Sequence, residues 1–121
     1  MAIAMVIMSL TGAPAVPVVE DKPVHHKASC NKACKLIRHK RKVVRPYRAK
    51  LERMAYCEST SRWHLNTGNG YYGGLQFDLR TWHSVGGGGY PHWASKLEQM
   101  YRAVILIGRR GYRPWPVCGY R

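Results

Sequence analysis

Acidic side chains are scarce in this sequence of 121 residues: 6 Asp and Glu stand against 20 Lys and Arg, a formal charge of +14. Such a balance points to an anionic partner: nucleic acid, an acidic membrane or an anionic wall polymer. Charge alone does not choose among them. Long apolar runs are also missing, since the run over residues 2–8 is too short to span a bilayer. Followed by Ala13-Pro14-Ala15, that run resembles the end of a secretory signal, although the positive charges that usually precede one are lacking. A zinc pattern is absent too. Cys30 and Cys34 lie near His25, His26 and His39, but their spacing fits no strong ligand motif, so neither metal nor cofactor is expected.

What is present suits one small domain with a tail. A fold of this size buries a modest core, and small secreted domains often reinforce such a core with disulfides. The 4 cysteines allow three pairings. Cys57 and Cys118 bracket the C-terminal region, whereas Cys30 and Cys34 stand one helical turn apart and could join each other or another molecule. The basic excess is uneven: residues 1–56 hold 12 Lys and Arg with 3 acids, and residues 57–121 hold 8 with 3. The chain therefore divides into a signal-like start (1–15), a basic linker and arm (16–46) and a folded domain (47–121). Within the arm, residues 16–28 read as a linker, and residues 29–42 as a basic, helix-compatible segment whose thin apolar stripe suggests a solvated surface.

Past Pro46 a first helix is predicted, with apolar residues at Leu51, Met54 and Ala55. The next step of that spacing lands on Glu58. A carboxylate on the core-facing stripe, near a helix C-terminus, meets both burial and an unfavourable macrodipole, and each favours the protonated form. Residues 63–77 place Gly68, Gly70, Gly73 and Gly74 among aromatic and amide residues, predicting a tightly turned hairpin. Asp78 is an N-cap for a short helix that Gly86 stops, and residues 86–89 form a flexible glycine connection. Ser95 and Glu98 make a capping box, behind which Leu97, Tyr101, Val104, Ile105 and Gly108 keep a helical period. The two prolines of residues 111–119 predict an extended tail that returns Cys118 towards Cys57.

Of the carboxylates in the folded region, Asp78 and Glu98 have capping roles, while Glu58 has none. Glycosidic cleavage needs a proton donor for the leaving oxygen, and an apolar setting turns a glutamic acid into such a donor, as in the lysozyme case. Residues 68–73 satisfy G-x-G-x-x-G, but no buried strand precedes them and no helix opens on them, so a dinucleotide site is rejected. A wall for sugar is the better reading: Tyr71, Tyr72 and Trp82 offer ring faces, Asn66 and Gln76 offer amides, and the glycines allow close approach. Trp63 and Trp115 read as core.

These residues carry a resemblance. Cys57-Glu58-Ser59, Trp63, NTGNGYYGGLQF (residues 66–77), Thr81-Trp82, Glu98-Gln99 and the closing WPVC (residues 115–118) resemble the resuscitation-promoting factor domain, over about residues 50–119. The resemblance implies a small, mostly helical α+β fold of lysozyme-like and lytic-transglycosylase-like type with a short hairpin. It implies cleavage of the β-1,4 bond between N-acetylmuramic acid and N-acetylglucosamine in peptidoglycan. It assigns Glu58 as the catalytic acid, Thr81, Tyr71 and Trp82 to the cleft, and a disulfide to Cys57 and Cys118. Arg110 falls where a cleft glutamine is common in that family, and with Arg109 and Arg113 it would grip an anionic stem peptide or wall phosphate, or form a solvated rim. Implied with these are a secreted or wall-associated monomer, peptidoglycan as partner with anionic wall polymers held by the basic arm, and no specific nucleic acid. The rival readings are a non-catalytic wall-binding or signalling module, and a basic nucleic-acid- or membrane-binding protein.

Overall fold

A computed structural model describes residues 29–121, together with Gly12 and Ala15. Apart from those two positions, the signal-like start and the 16–28 linker lie outside the described residues. Helix α1 (Lys32–Val44) opens on Asn31, whose side chain accepts from the Cys34 N–H at 2.9 Å, and the Cys30–Cys34 disulfide closes over the same turn. A 3-10 turn (Arg45–Tyr47) places Pro46 where its missing N–H costs nothing and leads into α2 (Arg48–Ser59). A two-stranded antiparallel hairpin follows: β1 (Tyr71–Tyr72) and β2 (Phe77–Asp78), with Tyr71 opposite Asp78 and Tyr72 opposite Phe77. Helix α3 (Leu79–Ser84) starts at once on Asp78, and α4 (Lys96–Arg110) starts on Ser95. The described residues are thus mostly helical with one small sheet, the α+β class expected of the sequence.

One core holds the elements together. Leu51, Met54 and Ala55 of α2 meet Leu75, Phe77, Trp82, Met100, Ala103, Leu106 and Trp115. Phe77 contacts Trp82 and Trp115 edge-on, at ring distances of 5.2 and 5.9 Å, so the hairpin is pinned between α3 and the C-terminal segment.

Several local expectations change. The basic segment over 29–42 is a helix packed along α4: Val44 is buried, His39 meets the Tyr101 ring edge-on, and Lys40 pairs with Glu98. Its thin apolar stripe suffices because an ion pair replaces an apolar contact at Lys40, while residues 31–39 stay exposed. The capping box is only half made. Ser95 accepts from the Glu98 N–H at 3.1 Å, but the Glu98 carboxylate turns to Lys40 and Arg102. On α4 the fully buried line is Gln99, Met100, Ala103 and Leu106, beside the more conspicuous apolar residues, which are only partly covered. Residues 86–89 wrap Trp82: the indole N–H donates to the Gly88 carbonyl at 3.1 Å, and a Cβ at Gly87 would overlap the ring. The C-terminal residues are a chain of turns rather than an extended tail. Trp115 N–H donates to Tyr112 and Gly119 N–H to Trp115, each at 2.9 Å, which shortens the path to Cys57.

Candidate active site

The site begins at the end of α2. Glu58 is the penultimate residue of that helix and is half-buried. Thr60 and Ser61, both left-handed at φ 52° and 59°, end the helix by donating to Tyr56 and Ala55 at 2.9 and 3.1 Å. Ser59 is buried and fixes the same end from inside: its hydroxyl lies 3.0 Å from the Ala55 carbonyl and 2.9 Å from that of Gly74. The helix end is thereby tied to the hairpin turn.

A cleft of about 370 Å³ opens over Glu58, a size ordinary for a ligand site. One wall comes from the hairpin, with Asn69, Tyr71 and Gln76. The other is the strip over residues 114–118. The Cys57–Cys118 disulfide staples that strip directly beside Glu58, and the Trp115 indole donates to the Leu75 carbonyl at 2.8 Å. A narrow extension of about 30 Å³ continues past Tyr71 and Gln76 to Asp78 and Thr81.

Electrostatics separate the carboxylates. Burial pushes the Glu58 carboxyl above its ordinary value, and no described group donates to it. Burial would raise Asp78 as well, but the Thr81 N–H at 2.8 Å, the Thr81 hydroxyl at 2.7 Å and the Arg110 charge outweigh it and hold Asp78 below the usual range. Glu98 behaves alike: Lys40 and Arg102, the latter at 2.6 Å, overcome its burial. Glu52 is lowered mainly by Lys96 at 2.8 Å. Among the described carboxylates, Glu58 alone is both unpartnered and shifted towards the neutral acid.

The structure brings together Glu58, Tyr71 and Gln76 in the cleft, with Thr81 in its extension and Tyr71 half exposed. Gln76 holds φ 51° and donates to the Gly73 carbonyl at 2.8 Å, so its amide is part of the turn. Trp82 is a correction. It is 0 % exposed in the core and its ring has no free face for a sugar. Tyr72 points away from the cleft into a cluster with Tyr90 and His92, because strand neighbours alternate sides. Asn66 is exposed and accepts from the Gly68 N–H at 3.0 Å, away from the cleft lining. Arg110 is exposed and acts on the site through its charge on Asp78. Cys57 and Cys118 pair, and Cys30 pairs with Cys34.

The family model for the transglycosylase-like domain matches residues 45–118. The chain belongs to this family. Its transglycosylase-like domain runs from the 3-10 turn before α2 to the cysteine that closes the cleft, and α1 lies ahead of it. Over 70 residues the chain is 54% identical to resuscitation-promoting factor Rpf of Micrococcus luteus, covering 58% of this chain and 31% of that protein. It is 47% identical over 75 residues to resuscitation-promoting factor RpfE of Mycobacterium tuberculosis, covering 62% and 44%. With resuscitation-promoting factor Rpf1 of Corynebacterium glutamicum it shares 41% over 70 residues, covering 55% and 36%. The chain therefore spans less than half the length of each of these relatives. The resemblance carried by residues 57–118 is borne out.

Two features of the transglycosylase-like domain escaped sequence reasoning. The cleft wall at Pro114, Pro116 and Val117 read as tail, although any pairing of Cys118 with Cys57 must bring its neighbours to Glu58. Gln99 is fully buried, a rare place for an amide. It accepts from the Gly74 N–H at 2.9 Å and donates to the carbonyls of Trp63 at 2.8 Å and Ala94 at 3.0 Å. A Cβ at Gly73 would overlap that amide, and Gly73 also holds φ +80°. Gln99→Leu would strand one N–H and two carbonyls, so a loss of about 2–4 kcal/mol is expected in urea unfolding. An unchanged midpoint would show the bracket to be dispensable.

Proposed function

We propose that this cleft cleaves peptidoglycan at the β-1,4 bond between N-acetylmuramic acid and N-acetylglucosamine, with Glu58 as its single catalytic carboxyl. The observation that carries the reading is the isolation of Glu58: half-buried, unpartnered and raised, in a domain whose other described carboxylates are engaged by donors. Protonated Glu58 gives its proton to the glycosidic oxygen as the bond from the muramic acid C1 breaks and positive charge develops at C1. The 6-hydroxyl of the same sugar then attacks C1, and its proton passes to the Glu58 carboxylate. The acid is regenerated and the product carries an anhydro ring.

Asp78 supports this division of labour, because both its oxygens already accept from Thr81. Held ionised at the far end of the cleft, it supplies negative potential to the developing cation. Tyr71, half exposed in the cleft, supplies the face against which a sugar ring stacks, opposite the strip over residues 114–118. The same reading puts the protein outside the cell at the wall, as a monomer, in keeping with its two disulfides.

Mass analysis of fragments released from purified sacculi tests the proposal. Anhydro-muramyl ends are expected. Reducing muramic acid ends would replace the ring-closing step with attack by water, and absence of fragments would favour a binding module. Tyr71→Ala is expected to raise KM about fivefold, the loss of about 1 kcal/mol of ring contact, while Tyr71→Phe preserves it. Steady-state kinetics on soluble glycan fragments measures the difference, and equal KM values would remove Tyr71 from the sugar path.

A further inference from the structure

The outer face of α1 takes no part in the cleft. We infer that it is a docking surface for a phosphate-bearing anionic polymer of the cell wall, a reading that rests on the wall-cleaving function proposed above. Lys35, Arg38, Lys42 and Arg45 follow one another at three- and four-residue steps, so they form a single stripe. At 1.5 Å per residue the stripe is about 15 Å long. All four are exposed, and none has an acidic partner among the described residues. Lys32 and Arg41 extend it on either side, and no acid occurs between residues 29 and 51.

Such a stripe works against its own helix, since like charges at these spacings repel. The helix is held by other means: the Asn31 cap, the Cys30–Cys34 disulfide over its first turn, Val44 in the core and the Lys40–Glu98 pair on its inner side. The inward cation Lys40 is neutralised, while the outward ones have no acidic partner among the described residues. That is the charge pattern of a surface that meets a polyanion, where each neutralised phosphate releases a counterion.

The rest of the face narrows the partner. A helix that lies on a membrane buries a continuous apolar face. Of the apolar residues of α1, Val44 is buried and Val43 partly covered, and the exposed ones, Ala33, Leu36 and Ile37, amount to a single turn rather than a continuous face. Single-stranded nucleic acid sites add aromatic side chains that stack bases. The stripe has none, and His39 is turned to Tyr101. A flexible polymer of phosphodiester repeats asks only for spaced charge, and one anchored in the wall would hold the domain beside the glycan that the cleft is proposed to cut.

The test uses the full chain carrying Glu58→Gln, so that binding is read without turnover. Its affinity for poly(glycerol phosphate) is measured at low and moderate salt, against a Lys35→Gln, Arg38→Gln, Lys42→Gln, Arg45→Gln variant. Binding that weakens at least about tenfold in the variant and falls with salt is expected, while a Lys35→Arg, Lys42→Arg variant keeps wild-type affinity. If the fourfold variant loses helix signal, the two adjacent double variants carry the same comparison. Unchanged affinity in the charge-deleted chain overturns the inference. So does tighter binding to a DNA duplex or to anionic phospholipid vesicles at the same salt. With Glu58 restored, cleavage of sacculi stripped of anionic polymer should match in both chains. Failure of the unaltered chain to cleave stripped sacculi would count against the cleft reading alone.

Discussion

Replacing Glu58 with glutamine is expected to lower peptidoglycan cleavage by about 100- to 10,000-fold, the range spanned by general acid catalysis, while leaving the fold intact. Glutamine keeps the volume and the polar head but has no proton to give. The same change carries a stability signature that a binding role would not require. Burial raises the Glu58 pKa in the folded state above its ordinary value, so the folded state favours the protonated form. That contribution is fully present below the ordinary glutamate range and is lost as pH rises through the raised folded value. Glu58→Gln should therefore unfold at nearly the wild-type temperature in acid and at a higher one near neutrality. Activity should also be lost as pH rises through that value, because the donor is then ionised. Parallel calorimetry at about pH 3 and about pH 7 reads the first effect. A variant less stable at neutrality would show that the Glu58 charge is welcomed by the fold, contrary to its role as a stored acid.

The second large effect is expected at the disulfide beside the acid. Cys57 and Cys118 are separated by 61 residues, and on the chain-entropy account a loop of that length contributes about 4 kcal/mol. For a domain of this size, Cys57→Ala with Cys118→Ala should lower the melting temperature by about 15–30 °C. Cleavage should fall even well below that temperature, since the strip over residues 114–118 forms one wall of the cleft and Cys118 ties it to the Glu58 helix. The Cys30–Cys34 bridge has a sequence separation of 4 and lies outside the cleft, so its removal should cost less and leave cleavage unchanged. Thermal melts and assays on soluble fragments separate the two bridges. Equal losses from both would mean that the long bridge has no special hold on the site.

Features set by local periodicity and capping were legible in the sequence. The spacing of Leu51, Met54 and Ala55 placed Glu58 on the inner edge of α2, and Asp78 and Ser95 marked the starts of α3 and α4. The hairpin followed from its glycines. What escaped was decided by tertiary contacts. An aromatic residue beside a glycine run reads equally as sugar platform or core, and only packing against Phe77 and Gly87 puts Trp82 inside. Tyr71 and Tyr72 are chemically alike, yet the pleat sends one to the cleft and the other to Tyr90 and His92. The glutamine that braces the turn is invisible to hydrophobic periodicity because it is polar. The C-terminal wall read as tail because its prolines signal irregular backbone without saying where it lies.

All of this turns on whether Glu58 is held as a neutral acid in its cleft. Carbon-13 NMR of side-chain-labelled glutamate, assigned by comparison with Glu58→Gln, follows that carboxyl directly through a pH titration. Its midpoint is expected above the ordinary glutamate value of 4.5, with Glu52 and Glu98 below it. A Glu58 midpoint at or beneath that of its two neighbours would contradict the account.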